Sequence, residues 1–387
     1  MSTFALSEDH RAVQEAARAL CLAKIAPHAA EVDETGTFPQ HSLDALTEAG
    51  FVTAHLPEEY GGGGADALAT ALIVEEVARV CASSSLIVSG MKLGTLPVQL
   101  AGDADLKARY LPRIAAGEGL VSYCLTEPQA GSDVAAISTR AVRDGDHYVI
   151  NGAKRWISNA GIAAFHVVFA VTAPEARTRG ISAFLLERGD EGISFGPPER
   201  KMGIKGSPTQ EVWFDDVRIP ADRLIGAEGT GFATAMRALD HSRVTVAAQA
   251  LGIAQGALDA AVEYAQERRQ FGQRIADFQG IQFLLADMAM KVESARLLTY
   301  AAAARSDANA PDLTFFGAAA KCQASDAAMA VTTDAVQVLG GYGYSREYPV
   351  ERMMRDAKIT QIYEGTNQVQ RIVMARQLLA GAGRRQQ

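Results

Sequence analysis

The sequence predicts a mainly α-helical protein with a β domain in the middle of the chain. Apolar residues recur at helical spacing over residues 7–117, short β-type runs replace them over 119–220, and long helical patterns return after Gly231. A chain of 387 residues can form two or three packed units. The predicted domains are an N-terminal helical domain at 1–118, a middle β domain at 119–228 and a C-terminal helical bundle at 229–387.

The first helical region has a clear start and two stops. Ser7 is a suitable N-cap, because apolar residues that share one helix face follow it. Gly50 and Gly117 are placed to end helices, since glycine adopts the left-handed backbone found there.

The β region contains runs of β-branched and aromatic residues at 148–150, 165–171 and 181–186. Asp144-Gly145 and Asn151-Gly152 are pairs typical of two-residue hairpin turns. We therefore expect a hairpin at each pair.

The third region has the longest helical patterns. One of them carries an apolar stripe that predicts a face packed against other helices. Its members are Ile281, Leu284, Leu285, Met288, Val292 and Ala295.

Composition excludes several classes of protein. The chain has 37 Lys and Arg against 45 Asp and Glu, a net charge of −8, and no basic stripe, so nucleic acid is not an expected partner. Its N-terminus lacks the apolar core of a secretion signal, and no apolar run is long enough to span a membrane. We expect a cytoplasmic protein without membrane insertion.

Common catalytic motifs are missing from the sequence. The four cysteines lie far apart and form no C-x-x-C pair, which predicts neither a disulfide framework nor a metal site. The sequence also has no G-x-G-x-x-G opening a helix, no Walker A loop, no H-E-x-x-H and no G-x-S-x-G. Rossmann dehydrogenases, P-loop enzymes, zinc proteases and α/β-hydrolases are therefore disfavoured.

Two polar strings stand in the β region. The first, YCLTEPQAGSD at 123–133, combines hydroxyls with a glycine that permits close backbone approach to a phosphate. The second, KRWISNAG at 154–161, places a tryptophan between polar neighbours. Taken alone, the first string is more typical of a polar turn that leaves a strand, and the tryptophan of the second is more often a core residue than a cofactor wall.

Three further strings stand in the C-terminal region. They are ERRQFG at 267–272, QVLGG at 337–341 and RDAKITQIYEGTNQ at 355–368. Alone, the first would be a solvated helix end, and Glu364 in the last would be a surface charge before a helix-ending glycine.

Together the five strings resemble, in order and spacing, those of acyl-CoA dehydrogenases, most closely the butyryl-CoA and short branched-chain members. The resemblance covers nearly the whole chain from Glu8. It implies an N-terminal helical domain, a middle β-barrel-like domain and a C-terminal four-helix bundle. It also implies FAD as cofactor, an acyl-CoA substrate, electron-transfer flavoprotein as electron acceptor and a homotetramer.

The resemblance assigns two sets of residues to FAD. In the β region Trp156 covers a face of the flavin ring and Ser158 reaches its edge, and in the C-terminal region Arg268 meets the pyrophosphate of a neighbouring subunit's FAD. Gln270 replaces a threonine that many members have. The full set is Tyr123, Leu125, Thr126, Gly131, Ser132, Trp156, Ile157, Ser158, Arg268, Gln270, Phe271, Phe278, Gln279, Gln337, Gly341, Thr366, Asn367 and Gln368.

The resemblance makes Glu364 the base that removes the α-proton of the thioester while flavin N5 accepts the β-hydride. Members without this glutamate carry the base at the position of Ser242, and serine cannot replace a carboxylate there. The residues expected around the substrate are Ser132, Asp240, Arg243, Tyr363 and Gly365.

Substrate and electron acceptor are less constrained. Glutaryl-CoA dehydrogenases have an arginine where this chain has Ser85, which disfavours a dicarboxylate and leaves a short or branched acyl group. Two other functions remain open: an oxidase of the same fold that uses oxygen, and a catalytically silent helical scaffold.

Overall fold

The computed structural model describes residues 6–384. Its N-terminal region is helical, as predicted. Ser7 caps the first helix by accepting a hydrogen bond from the His10 N–H at 3.1 Å, and Gly50 and Gly117 have φ of 72° and 80° just after two helix ends. The helices are α1 (Glu8–Leu20), α2 (Ala29–Thr35), α3 (Gln40–Glu48), α4 (Ala67–Val80), α5 (Ala82–Ala101) and α6 (Ala104–Ala115).

The middle region forms one eight-stranded sheet. Its strands are β1 (Val121–Cys124), β2 (Arg140–Asp144), β3 (His147–Ser158), β4 (Phe165–Val171), β5 (Ile181–Glu187), β6 (Ile193–Phe195), β7 (Thr209–Pro220) and β8 (Leu224–Ile225). The pairing path runs β6-β7-β3-β2-β4-β5-β8, and β1 pairs in parallel with β4.

One of the two predicted hairpin turns is wrong. Asp144-Gly145 does connect β2 to β3, but Asn151-Gly152 lies inside β3, at a register shift against β7. The Asn151 side chain exchanges two 2.9 Å hydrogen bonds with Asp216 across the strands, and Gly152 allows Thr139 to approach closely. The pair that resembles a turn is therefore a β-bulge, where glycine is needed for space.

The C-terminal region returns to helices, which confirms the predicted order of helical, β and helical parts. These helices are α7 (Gly231–Glu267), α8 (Gln279–Asp307), α9 (Leu313–Leu339), α10 (Val350–Thr360) and α11 (Asn367–Arg384), with a small hairpin of β9 (Arg269–Gln270) and β10 (Gln273–Arg274) between α7 and α8. The exact domain limits stay a prediction.

Two buried clusters hold these parts together. One runs from the N-terminal helices through the long helices of the bundle, and the other lies within the sheet. In the predicted stripe of α8, Met288, Val292 and Ala295 are fully buried, whereas Ile281, Leu284 and Leu285 are half-buried. No helix within residues 6–384 is long and apolar enough to cross a membrane.

A buried ion pair fixes the loop that leaves β1. The Lys154 ammonium, fully buried in β3, donates to Glu127 Oε1 at 2.7 Å and to the Leu125 carbonyl at 3.1 Å. Glu127 also accepts from the N–H groups of Ser138 and Thr139 at 2.6 and 2.9 Å. Burial opposes its ionisation, but Lys154 and these donors outweigh burial and lower the pKa of Glu127 to about 2.

We predict that Glu127→Ala lowers the free energy of unfolding by about 3–5 kcal/mol, because Lys154 is then left buried without a counter-charge. Urea or thermal unfolding measures this loss. The double variant Glu127→Leu with Lys154→Met should regain much of it. A single variant as stable as wild type would show that the pair does not stabilise this loop.

The same ion pair predicts that the free energy of unfolding depends on pH. The pKa of Glu127 falls from its ordinary 4.5 to about 2 on folding. Its contribution to the free energy of unfolding is therefore complete above pH 4.5 and is lost as the pH falls towards 2.

Candidate active site

Glu364 lies in the connection between α10 and α11, on a strained turn. Its φ is 51° and that of Gly365 is 89°, so two successive residues adopt left-handed backbone. A side chain at 365 would place its Cβ 2.6 Å from Gln370 Nε2, and only glycine avoids this contact. A glutamate in this conformation persists only where its surroundings hold it.

Two side chains from different helices hold the turn through its carbonyl groups. Gln370 of α11 donates from Nε2 to the carbonyls of Glu364 and Gly365, both at 3.0 Å. Lys321 of α9 donates from Nζ to the Gly365 carbonyl at 2.8 Å. Asn367, the first residue of α11, accepts from Lys321 at 3.0 Å.

The Glu364 carboxylate faces α7. Its Oε2 accepts a hydrogen bond from Ser242 Oγ at 2.5 Å. Burial raises the pKa of Glu364, while the Ser242 hydroxyl and the positive charges of Arg243 and Lys321 oppose part of that rise. The Glu364 carboxyl group is therefore half-buried, and its neighbours tune its ionisation.

An ion pair on α7 lies next to Ser242 in the sequence. Arg243 is buried and forms an ion pair with Asp240, whose other oxygen accepts from Thr314 Oγ1 at 2.7 Å. Among residues 6–384, Arg243 Nε has no hydrogen-bond partner. These contacts leave a fixed positive charge one residue from Ser242.

Tyr363 is fixed from the other side of the turn. Its hydroxyl donates to Gln249 Oε1, and Gln249 in turn donates to Ser85 Oγ at 3.0 Å. Gln249 is fully buried in α7 and Ser85 is fully buried in α5. A polar bridge therefore joins α5, α7 and the turn beside Glu364.

The two β-region strings lie side by side. The Arg155 N–H donates to the Thr126 carbonyl at 2.9 Å, where β3 shifts register against β7. Trp156 at this bulge has φ of 63°, and 53% of its surface is exposed. Leu125 and Ile157 are buried, Thr126 and Ser158 are half-buried, and Gly131 and Ser132 are exposed in the turn beyond.

Tyr123 connects this region to α7, the helix that carries Ser242. Its hydroxyl donates to the Ala235 carbonyl of α7 at 3.4 Å. Burial, together with the negative charge of Glu364, raises the pKa of the Tyr123 hydroxyl. Thr366 accepts from the Val369 N–H at 3.3 Å at the start of α11, and Gln368 is exposed there.

The remaining predicted residues lie elsewhere. A cleft of about 540 Å³ at the far end of α7 is lined by Arg268, Gln270 and Gly341, and the Arg268 guanidinium lies 5.4 Å from the centre of the Tyr342 ring. Phe271 is 94% exposed, and its ring centre lies 6.1 Å from that of Phe278. Gln279 and Gln337 are exposed near helix ends.

This cleft is separate from Glu364. Ser242 and Arg268 are 26 positions apart in sequence. This corresponds to roughly 39 Å along the axis of α7. Within one chain, the predicted residues thus form two sites.

Sequence reasoning missed three residues of the site, Lys321, Gln249 and Gln370. All three are polar side chains with no exposed surface. The sequence signal that could have found them is a lysine and two glutamines among apolar residues on helix faces. Such polar groups are buried only when they are hydrogen-bonded, so their position indicates a specific contact. The contacts they make are not visible in the sequence.

Comparison with known families covers almost the whole chain. The model of the acyl-CoA dehydrogenase N-terminal domain matches residues 7–118, that of the middle domain matches 122–217, and that of the C-terminal domain matches 229–379.

Curated relatives are similar over nearly their full length. A probable acyl-CoA dehydrogenase, FadE25, of Mycobacterium tuberculosis is 58% identical over 97% of this chain and 97% of its own. The cyclohex-1-ene-1-carbonyl-CoA dehydrogenase of Geobacter metallireducens is 50% identical over 97% of this chain and 99% of its own.

Solved structures give the same result. The butyryl-CoA dehydrogenase of Megasphaera elsdenii has a TM-score of 0.95 and 44% identity, over 97% of this chain and 99% of that one. A chain from work on the electron transferring flavoprotein of Acidaminococcus fermentans has a TM-score of 0.95 and 48% identity, over the same shares. The chain therefore belongs to the acyl-CoA dehydrogenase family, whose members are FAD-dependent oxidoreductases acting on CH–CH groups.

Proposed function

We propose that this chain removes the α and β hydrogens of a short, branched or alicyclic acyl-CoA, with Glu364 taking the α-proton. The product is a 2-enoyl-CoA, trans where the acyl chain is open. The electrons then pass to an electron-transfer flavoprotein.

The contact between Ser242 and Glu364 carries this proposal. The resemblance puts the family's base at one of these two positions, and here the two side chains are 2.5 Å apart. Both positions therefore face the same space, and only Glu364 offers a carboxylate. Burial raises its pKa, and a base is most effective when its pKa lies near the working pH.

The α-hydrogen of a thioester is a weak acid, so the base needs donors aimed at the thioester oxygen as negative charge develops. Among residues 6–384 the Glu364 N–H makes no backbone hydrogen bond, which leaves it able to donate to that oxygen. One such donor lowers a barrier by about 3–4 kcal/mol. The strained turn around Glu364 thus serves the chemistry.

The residues of the β region fit FAD. A half-exposed indole held out by a left-handed backbone offers a flat apolar face, and the half-buried hydroxyls of Thr126 and Ser158 stand in the same region. When bound, FAD supplies the acceptor for the β-hydride, which is chemistry that no amino-acid side chain provides.

The distant cleft supports a neighbouring subunit's part in the cofactor site. Arg268 suits phosphate oxygens because its guanidinium is cationic and forked, yet it lies too far from Glu364 to serve the same bound FAD within one chain. Phe271, three residues further along the chain, is 94% exposed and is open to contact by a neighbouring subunit. We therefore propose a homo-oligomer, a tetramer by family resemblance.

The acyl group is proposed to be short or cyclic. Tyr363, Gln249 and Ser85 form a hydrogen-bonded bridge beside Glu364, and we propose that this bridge limits the depth of the acyl site. The identity of 44% to a butyryl-CoA dehydrogenase supports a short chain, and the identity of 50% to a cyclohex-1-ene-1-carbonyl-CoA dehydrogenase supports an alicyclic one.

We predict that Glu364→Gln slows flavin reduction by acyl-CoA by about 10²-fold to 10⁴-fold, which is the usual contribution of a positioned base. Anaerobic stopped-flow absorbance measures the rate. The variant should keep its FAD and still bind acyl-CoA, because glutamine preserves shape and most hydrogen bonds. Glu263→Gln, an exposed change on α7, is the control, and a Glu364→Gln rate equal to this control would exclude Glu364 as the base.

Arg268→Ala should weaken FAD binding without unfolding the subunit, since it removes a phosphate partner and no core volume. The FAD content after gel filtration and the apparent Kd on titration with FAD report the change. Full FAD retention, or a monomer that keeps its FAD, would contradict the proposed role of the neighbouring subunit.

Gln249→Ala should shift the acyl preference towards longer chains, because it removes the bridge and opens space beside Tyr363. Turnover with an artificial acceptor is compared for butyryl-, isobutyryl-, hexanoyl-, octanoyl- and cyclohexane-1-carbonyl-CoA. An unchanged order of kcat/KM would show that the bridge does not limit the acyl site.

The oxidase alternative is tested separately. Rapid reoxidation by air of wild-type enzyme that acyl-CoA has first reduced under anaerobic conditions would favour an oxidase.

A further inference from the structure

Lys321 is a charged side chain buried in the middle of the bundle. It lies on α9, has no exposed surface, and is flanked along the helix by the buried Ala320 and Cys322. A buried ammonium is costly unless it is hydrogen-bonded, so its contacts explain its presence.

Its hydrogen bonds go to the segment just after the proposed base. Lys321 Nζ donates to the Gly365 carbonyl at 2.8 Å and to Asn367 Oδ1 at 3.0 Å. Gly365 follows Glu364 directly and shares its left-handed backbone. The ammonium therefore holds the peptide group that ends the strained turn.

We infer that Lys321 is a positioning residue for the reaction: it holds the Glu364–Gly365 turn in its strained conformation, and its charge favours the ionised form of the base. The inference rests on the proposed role of Glu364. A left-handed glutamate persists only if several contacts enforce it, and Lys321 is the charged one among the contacts to the turn's carbonyl groups.

The contacts of Asn367 argue against a role confined to anchoring α11. Its side-chain amide donates to Ser325 Oγ at 2.9 Å and to Asp326 Oδ1 at 2.7 Å, independently of Lys321. The start of α11 is therefore held without the ammonium. Loss of Lys321 should act mainly on the Gly365 carbonyl, and so on the turn.

The charged and titratable groups around Lys321 determine how its charge affects the ionisation of Glu364. Glu364 faces it from the turn, Arg243 from α7, and Cys322 and Asp326 from its own helix. Burial lowers the pKa of Lys321 to about 8, and the Glu364 carboxylate opposes part of that shift. In return the ammonium opposes the rise in the pKa of Glu364, so removing it should raise that pKa further.

The test compares Lys321→Met, which removes donor and charge, with Lys321→Gln, which retains a neutral donor. For Lys321→Met we expect flavin reduction by butyryl-CoA to slow about 10²-fold, the effect of misplacing a catalytic group by about 1 Å. FAD content and acyl-CoA affinity should stay within a few-fold of wild type. The acid limb of the pH–rate profile should move to higher pH in both variants, and Lys321→Gln should regain part of the rate.

Lys291→Met is the matched control, because Lys291 contacts Asp334 further along α9 and is partly exposed. A Lys321→Met rate and pH profile equal to those of this control would overturn the inference. So would equal losses of stability and FAD in both Lys321 variants without any shift of the pH profile, because that pattern indicates a purely structural residue.

A double variant separates this inference from the proposed function. If Lys321 acts through Glu364, adding Lys321→Met to Glu364→Gln should cause little further loss of rate. A fully active Glu364→Gln enzyme would contradict the proposed function itself. An inactive Glu364→Gln with an active Lys321→Met would leave the function intact and reject the role of Lys321.

Discussion

The site depends on one constraint: a carboxylate must be kept half-buried on a backbone turn that glutamate disfavours. Glu364 has φ of 51°, and no single contact can enforce that conformation. Ser242 of α7 binds the Glu364 carboxylate, Lys321 of α9 binds the Gly365 carbonyl, and Gln370 of α11 binds the carbonyls of both residues. Three helices that are distant in sequence must therefore pack correctly before the carboxylate is in place.

The long helices provide this packing. The first core cluster continues from the N-terminal helices into α7 and α9, so the frame behind the turn is buried and rigid. The sheet contributes from the other side. Tyr123 at the end of β1 contacts α7, and the buried pair of Lys154 and Glu127 fixes the loop that follows β1. The sheet is thereby joined to α7, the helix that carries Ser242.

Sequence patterns predicted what local physics determines. The order of helical and β parts follows from spacing, and the Ser7 cap and the Gly50 and Gly117 stops follow from backbone preferences. Asn151-Gly152 was misread because a turn and a β-bulge use the same residues, and the choice depends on Asp216 in another strand. The motif around Glu364 is a local run of sequence, so it could suggest a role for this residue by resemblance. It could not show how Glu364 is held, because the side chains that hold it belong to other helices.

The missed residues share one property. Lys321 and Gln249 act through partners 44 and 114 positions away in the sequence, and only packing brings these pairs together. The sequence shows these polar residues among apolar neighbours, which indicates burial, but it does not show which groups they contact. The family resemblance assigned Arg268 to the FAD of a neighbouring subunit, and the length of α7 supplies a physical reason, because it separates Arg268 from Ser242 and Glu364.

The most direct test of the account follows the α-hydrogen itself. In (methylthio)acetyl-CoA a thioether sulfur occupies the β position, so no β-hydride can leave and proton transfer at the α-carbon is isolated. Incubated with enzyme in D₂O and analysed by mass spectrometry, this thioester should take up deuterium rapidly with wild type and at least 10²-fold more slowly with Glu364→Gln. Equal exchange by both proteins would contradict the assignment of Glu364 as the base.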